Sequence, residues 1–238
     1  MTNPRAADVT VVIPTRNRPD LLQRSISSAL AQEHVPTSVV VVDDGSDEPA
    51  AQLVSRMAGP HVRGVRHPIS RGVARARNTG LALVETPWVA FLDDDDYWAP
   101  EKLRVQLESL HRVPGARWSC VGAVHVDAGS RPIYWRRPPA PEGTLELLSR
   151  LGGVPGGGSG VLVSTRLARD VGAFDPNFSI LADWDFYFRL ARRSPVATVD
   201  RPLVGYFIHS DSMYHDPVEL GRELSTLERK YRRCHPPL

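Results

Sequence analysis

Over the first hundred residues, four short runs that suit β-strands alternate with stretches patterned as helices, and this alternation restricts the possible folds more than any other feature. Val9–Ile13 is β-branched and almost wholly apolar, as a central strand covered on both faces must be. It ends at Pro14. From Pro19 the residues Leu22, Ile26, Ala29 and Leu30 recur at helical spacing, with the proline and Asp20 suited to a first turn. Val39–Val42 repeats the strand pattern and stops at Asp43, Asp44 and Gly45, after which Ala51–Met57 suits a helix. Val62–Arg66 supplies a third strand, Arg71–Val84 a helix, and Trp88–Leu92 a fourth buried strand that runs directly into Asp93, Asp94, Asp95 and Asp96. This order predicts an α/β fold with a mostly parallel central sheet flanked by helices and joined by right-handed crossovers. Ligands of such sheets bind beyond the carboxyl ends of the strands, where both acidic clusters lie.

The remaining chain is less regular. Proline is dense from Arg131 to Gly143 with no visible period, which predicts a loop or flap, and Gly152–Gly160 is a second irregular stretch. A strand at Val161–Ser164, a helix at Asp183–Arg193, a strand at Leu203–Ile208 and a last helix at Val218–Arg233 follow. At 238 residues, with 42% hydrophobic and 24% charged, the composition is that of one folded domain and excludes wholesale disorder. A net charge of +2 gives no support for a nucleic-acid partner. Two cysteines without metal-type spacing suit a reducing compartment, and the start MTNPRAADVTVVIP has no signal-peptide pattern, so a cytoplasmic location is expected. No run of about 18 apolar residues is present, so no membrane span is expected.

Four consecutive aspartates after an apolar strand repel one another and are disfavoured by the neighbouring core. A hard divalent cation, Mg²⁺ or Mn²⁺, relieves such crowding, and its sites commonly combine one or two carboxylates with substrate phosphates. An acidic solvated turn is the competing explanation. The order of PTRNR, VVVVDDGSD, GVARARNTG and FLDDDD, followed by GVLVSTRLARDVGAFDPNFSILADWDFYFRLA, resembles family 2 glycosyltransferases of the GT-A fold.

That resemblance implies a single domain over 1–238, with a nucleotide-sugar-binding half at 9–103, an acceptor-side half at 104–216 and a C-terminal helix and tail at 217–238. It implies that Pro14, Thr15 and Arg18 form a nucleoside-contacting loop and that Asp43 or Asp44 accepts from the base. Arg71, Arg77 and Asn78 would lie beside the donor, where guanidinium groups suit diphosphate oxygens. Asp93, Asp94 and Asp95 would form the donor-side, metal-binding motif, with Asp93 facing the nucleotide sugar and Asp95 touching the cation. Asp96 is expected as a helix cap for the stretch from Pro100 or as a supporting group.

In the second half Asp183 aligns with the general base, whereas Ala182 stands where the family carries glutamate. Asp185, four residues before Arg189, suggests an exposed intrahelical ion pair. His209 suits either a ligand of the metal or pyrophosphate or a structural histidine. Trp98 and Trp184 suit a sugar-stacking wall or the core. GGVPGGGSG lacks the Lys-Ser or Lys-Thr ending of a P-loop and is assigned to the acceptor side. Leu220, Leu224, Leu227 and Tyr231 form an apolar stripe that packs on the domain or else serves a dimer contact or, through its basic flanks, meets a membrane surface peripherally.

The implied activity is metal-dependent, inverting transfer of a single sugar, with a UDP-sugar as the expected donor and an unidentified acceptor. The rivals are a nucleotidyltransferase, for which no Gly-rich loop follows the first strand, and an inactive nucleotide-sugar-binding module.

Overall fold

The computed structural model describes residues 8–57, 59, 61–149, 153–208 and 216–231. Nine strands form one mixed sheet with helices on both faces. The first half matches the expected alternation: β1 (Val9–Thr15), α1 (Pro19–Leu30), β2 (Thr37–Asp43), α2 (Ala51–Met57), β3 (Val62–Arg66), α3 (Val73–Ala82) and β4 (Trp88–Phe91). β3, β2, β1 and β4 are neighbours in that order and all pair in parallel. Every residue of β1 is buried, and its alternation sends Val12 into one core layer and Val11 and Ile13 into the other, which is why the run carries no polar face. Gly80 lets α3 lie directly on β1, since a Cβ there would collide with Val12.

The second half closes the sheet differently. β5 (Tyr97–Trp98), α4 (Lys102–Arg112), β6 (Trp118–Val126), β7 (Pro132–Arg136), α5 (Thr144–Ser149), β8 (Val161–Ser164), α6 (Thr165–Asp170), α7 (Ala182–Ala191), β9 (Val196–Phe207) and α8 (Pro217–Tyr231) follow. β8 joins β4 antiparallel, and the order continues through β6 and β9 to β5. Phe91 of β4, Phe174 and Phe186 of α7 pack ring on ring with centroids 4.3–6.1 Å apart, fixing α7 against the sheet.

Several expectations are corrected. The stretch 131–143 is not all loop: β7 pairs antiparallel with β6, but as an edge strand exposed along its whole length it carries no alternating pattern. β9 begins at Val196, ahead of the expected Leu203, because its middle residues Asp200, Arg201 and Pro202 are exposed and hide the strand signal. α3 starts at Val73, since Gly72 has φ 88° and the amides of Arg71 and Gly72 serve another purpose, described below. Asp96 caps no helix: its oxygens accept from the Ser159 hydroxyl at 2.6 Å and the Phe207 amide at 3.1 Å. Trp98 and Trp184 are core residues, and the Trp98 indole donates to the Ser159 carbonyl at 2.9 Å. The stripe on α8 faces the domain, with Leu227 and Tyr231 buried. Among the described residues no helix is long and apolar enough to cross a membrane.

Asp185 is not an exposed pair. It is fully buried, accepts from Arg189 at 2.7 and 3.0 Å, and also accepts from Lys230 and Tyr231 of α8, both at 2.6 Å. Removing one partner from a buried, fully bonded charge cluster leaves the others unpaired. Asp185→Ala should therefore lower folding stability by about 3–5 kcal/mol, measured by urea denaturation; a loss no larger than that of an exposed ion pair would contradict this role.

Candidate active site

The carboxyl ends of β1, β2 and β4 and the start of α7 surround a cleft of about 370 Å³. Pro14, Thr15 and Arg18 come from the end of β1 and the start of α1, Asp44 from the end of β2, Asp93–Asp95 from the end of β4, and Asp183 from the first turn of α7. Ser70, Gly72, Arg77, Gly157, Ser179, Ile180 and Tyr206 complete much of the wall.

Each aspartate of the run is answered from a different direction. Arg77, buried on α3, donates to Asp93 at 2.5 Å. Asp94 accepts from the Thr15 hydroxyl at 2.7 Å and from Arg18 at 3.2 Å, and the same guanidinium reaches Asp95 at 2.7 Å. Burial, followed by repulsion from Asp95, pushes the Asp94 carboxyl up to about 7, while burial with repulsion from Asp95 and Asp93 raises Asp96 well above the usual range. Ser159 ties this strand end to the second half, accepting from the Asp93 amide at 3.0 Å while its hydroxyl donates to Asp96.

Asp183 is half-buried and its own Trp184 amide donates to it at 2.7 Å. Burial raises its carboxyl above the ordinary value near 3.8, against the opposing pull of Arg77, and Asp93 adds to the rise. Gly157, at φ 47°, passes so close that a Cβ would sit 3.2 Å from the Asp183 carboxylate. A side chain there would fill the space before the carboxylate.

Other expected residues are placed less directly. Asp44 lines the cleft, but its oxygens are already engaged: they accept from His67 at 2.6 Å, the Ser70 hydroxyl at 2.8 Å, and the amides of Arg71 and Gly72 at 2.9 Å. Asp43 turns away to accept from the Ser46 and Ala50 amides and from Arg66. Arg71 contributes its backbone amide, and its side chain is not part of the wall. Asn78 is bonded to both the carbonyl and the amide of Phe174, at 2.8 and 2.9 Å, and thereby fastens α3 to the second half. His209 lies outside the described residues. Ser159, Tyr206, Ser179 and Ile180 were not anticipated. Only the glycine-dense context of Ser159 offered a signal, that of close backbone approach.

Five carboxylates and three guanidiniums line the cleft, an excess of negative charge. Among the described residues no three His, Cys, Asp or Glu side chains are grouped closely enough to enclose a metal ion. The hard oxygen donors of Asp93–Asp95 are nevertheless of the chemistry that suits a divalent cation taking one or two protein ligands and the rest from phosphate oxygens and water.

This parallel first half joined to a mixed second half, in which β8 runs antiparallel to β4 and β6 while β6 and β9 are parallel, is the GT-A architecture, and solved structures share it. S. aureus TarS 1-349 in complex with UDP-GlcNAc superposes with a TM-score of 0.71 at 18% identity, covering 89% of this chain and 62% of that one. The family model described as glycosyl transferase family 2 matches residues 10–165, and the chain belongs to that family. Among curated relatives, the succinoglycan biosynthesis protein ExoO of Rhizobium meliloti is 41% identical over 44% of this chain and 30% of its own length. The pre-mycofactocin glycosyltransferase of Mycobacterium tuberculosis is 34% identical over 83% of this chain and 43% of its own. The chain thus spans half or less of the curated relatives it matches.

The depressed carboxyl of Asp44 makes it a structural anchor: burial opposes ionisation, but the bonds from His67, Arg71, Ser70 and Gly72 outweigh it. A depressed folded value stabilises above the ordinary value near 3.8, and that contribution disappears as pH falls through the lower folded value. Asp44→Asn should cost about 1–3 kcal/mol at neutral pH and loosen the loop that carries the Ser70 and Gly72 wall of the cleft, which would weaken binding of any nucleotide held there. Denaturation and calorimetry check both; parental values in each would remove Asp44 from the cleft's architecture.

Proposed function

We propose that this domain is an inverting glycosyltransferase that moves one sugar from a nucleotide-sugar donor, a UDP-sugar, to an acceptor hydroxyl. The observation that carries this reading is the cleft itself, where an acidic run at the end of β4 faces a half-buried carboxylate, Asp183, across the guanidinium of Arg77. Family membership supports it, as do the UDP-GlcNAc complex of TarS and the relative named as a UDP-Glc-dependent β-1,3-glucosyltransferase.

In this mechanism the nucleoside sits against Pro14, Thr15 and the loop anchored by Asp44, and Asp93 faces the sugar. Mg²⁺ or Mn²⁺ held by Asp95 would offset charge on the departing diphosphate as a Lewis acid. Asp183 accepts the proton of the acceptor hydroxyl as the new glycosidic bond forms on the face opposite the leaving group. Inversion follows from that single displacement through an oxocarbenium-like transition state. Arg77 donates to Asp93 and its charge also pulls against the rise of the Asp183 carboxyl, so it links the two acidic groups of the cleft. Partial burial raises the proton affinity of this carboxylate above the ordinary value, which suits a general base.

Two tests follow from these roles. Asp95→Ala, or chelation of the divalent ion, should abolish Mn²⁺-dependent UDP binding in calorimetry while leaving the melting temperature near parental; unchanged metal dependence would disprove the assignment. Asp183→Asn should lower turnover by at least about 10²-fold with donor affinity retained. Because the Asp183 carboxyl lies above its ordinary value, activity should fall as pH drops through that raised value, and this acid limb should vanish in Asp183→Asn. An acid limb that persists unchanged in the variant would place the base elsewhere.

A further inference from the structure

Ser179 and Ile180 of the cleft wall and Asp183 belong to one short stretch of chain, and that stretch is held from behind by the C-terminal helix. Glu223 of α8 is fully buried, and its carboxylate accepts from three consecutive backbone amides: Ser179 at 2.5 Å, Ile180 at 3.3 Å and Leu181 at 2.8 Å. Leu181 is the residue from which α7 starts, and no side chain of its own caps that end. Glu223 thus does from another helix what a local Ser, Thr or Asp ordinarily does at an N-cap. Four residues on, the direction reverses: Asp185 of α7 accepts from Lys230 and Tyr231 of α8. Asp183 lies between these two attachments, one at residue 181 and one at 185.

We propose that Glu223 is a positioning residue for Asp183, so that the C-terminal helix is a working part of the active site. The proposal rests on the role of Asp183 as base given above. A local cap would serve stability alone at less desolvation cost, because a surface Ser or Asp keeps its contact with water. A buried carboxylate that gathers the amides of 179–181 fixes the cleft wall and the first turn of α7 as one body. Proton transfer depends on that placement, since a shift of about 1 Å in a reacting group costs up to about 10²-fold in rate. The opposite side of the cleft stands on the ends of β1, β2 and β4.

The test compares Glu223→Ala, Glu223→Gln, Tyr231→Phe and Asp183→Asn in the full chain. Hydrogen exchange at the amides of 179–181 should accelerate in Glu223→Ala and change less in Glu223→Gln, which keeps one acceptor oxygen. UDP release from UDP-glucose, UDP-galactose and UDP-GlcNAc with Mn²⁺, assayed below each variant's melting temperature, should show kcat lowered about 10- to 100-fold in Glu223→Ala with KM for the donor nearly unchanged. Glu223→Gln should recover much of that loss, and it carries the comparison if the alanine variant does not fold. Tyr231→Phe, which loosens the second attachment only, should lower kcat less than Glu223→Ala. Unchanged exchange at 179–181, or parental kcat in folded Glu223→Ala, overturns the proposal. Asp183→Asn with parental release would overturn the base assignment instead, and the exchange result would then judge the clamp by itself.

Discussion

Four aspartates at the end of one strand form a concentration of negative charge that the surrounding structure has to neutralise. Asp93 is met by Arg77 from α3, Asp94 by Thr15 and Arg18 from the β1–α1 junction, Asp95 by the same Arg18, and Asp96 by Ser159 and the Phe207 amide from the second half. A buried carboxylate without such partners would be protonated or would destabilise the fold, so these contacts determine which segments must converge on the end of β4. On the cleft side one guanidinium, that of Arg18, serves both Asp94 and Asp95.

The topology explains why the remaining groups can reach the same place. Parallel pairing of β3, β2, β1 and β4 points all four carboxyl ends to one edge, and the loops there are free to carry function because β1, β2 and β4 beneath them are committed to the core. The antiparallel entry of β8 brings Gly157–Gly160 across the end of β4. The absence of side chains on Gly157 and Gly158 lets this backbone press against Asp183 and Arg77.

Much of this was visible in the sequence where one signal dominated. Val9–Ile13 and Val39–Val42 are buried on both faces, and a wholly apolar β-branched run has few other uses, so strands and acidic termini were legible together. The edge strand β7 was not, because exposure along its whole length leaves no pattern to detect. Asp185 was misjudged for a related reason: spacing to Arg189 shows a helical neighbour but cannot show that Lys230 and Tyr231, some 45 residues away, close over the same carboxylate. Asn78 and Asp43 carry residue types that suit ligand binding, and only coordinates reveal that their bonding capacity is spent on the fold.

The contrast between Asp183 and Asp185 shows how neighbouring carboxylates on one helix come to do different things. They are two residues apart, so they project from different sides of α7. Asp185 points inward to Arg189, Lys230 and Tyr231, and all its oxygens are bonded. Such a group is fixed in charge and in place and has no oxygen left for a substrate. Asp183 faces the cleft with a single described hydrogen bond to its carboxylate, from its neighbour's amide, in a site where burial already favours proton uptake. A base needs that unsatisfied capacity, and it needs a rigid support to aim it. The saturated Asp185 cluster, two residues further along the same helix, supplies the support.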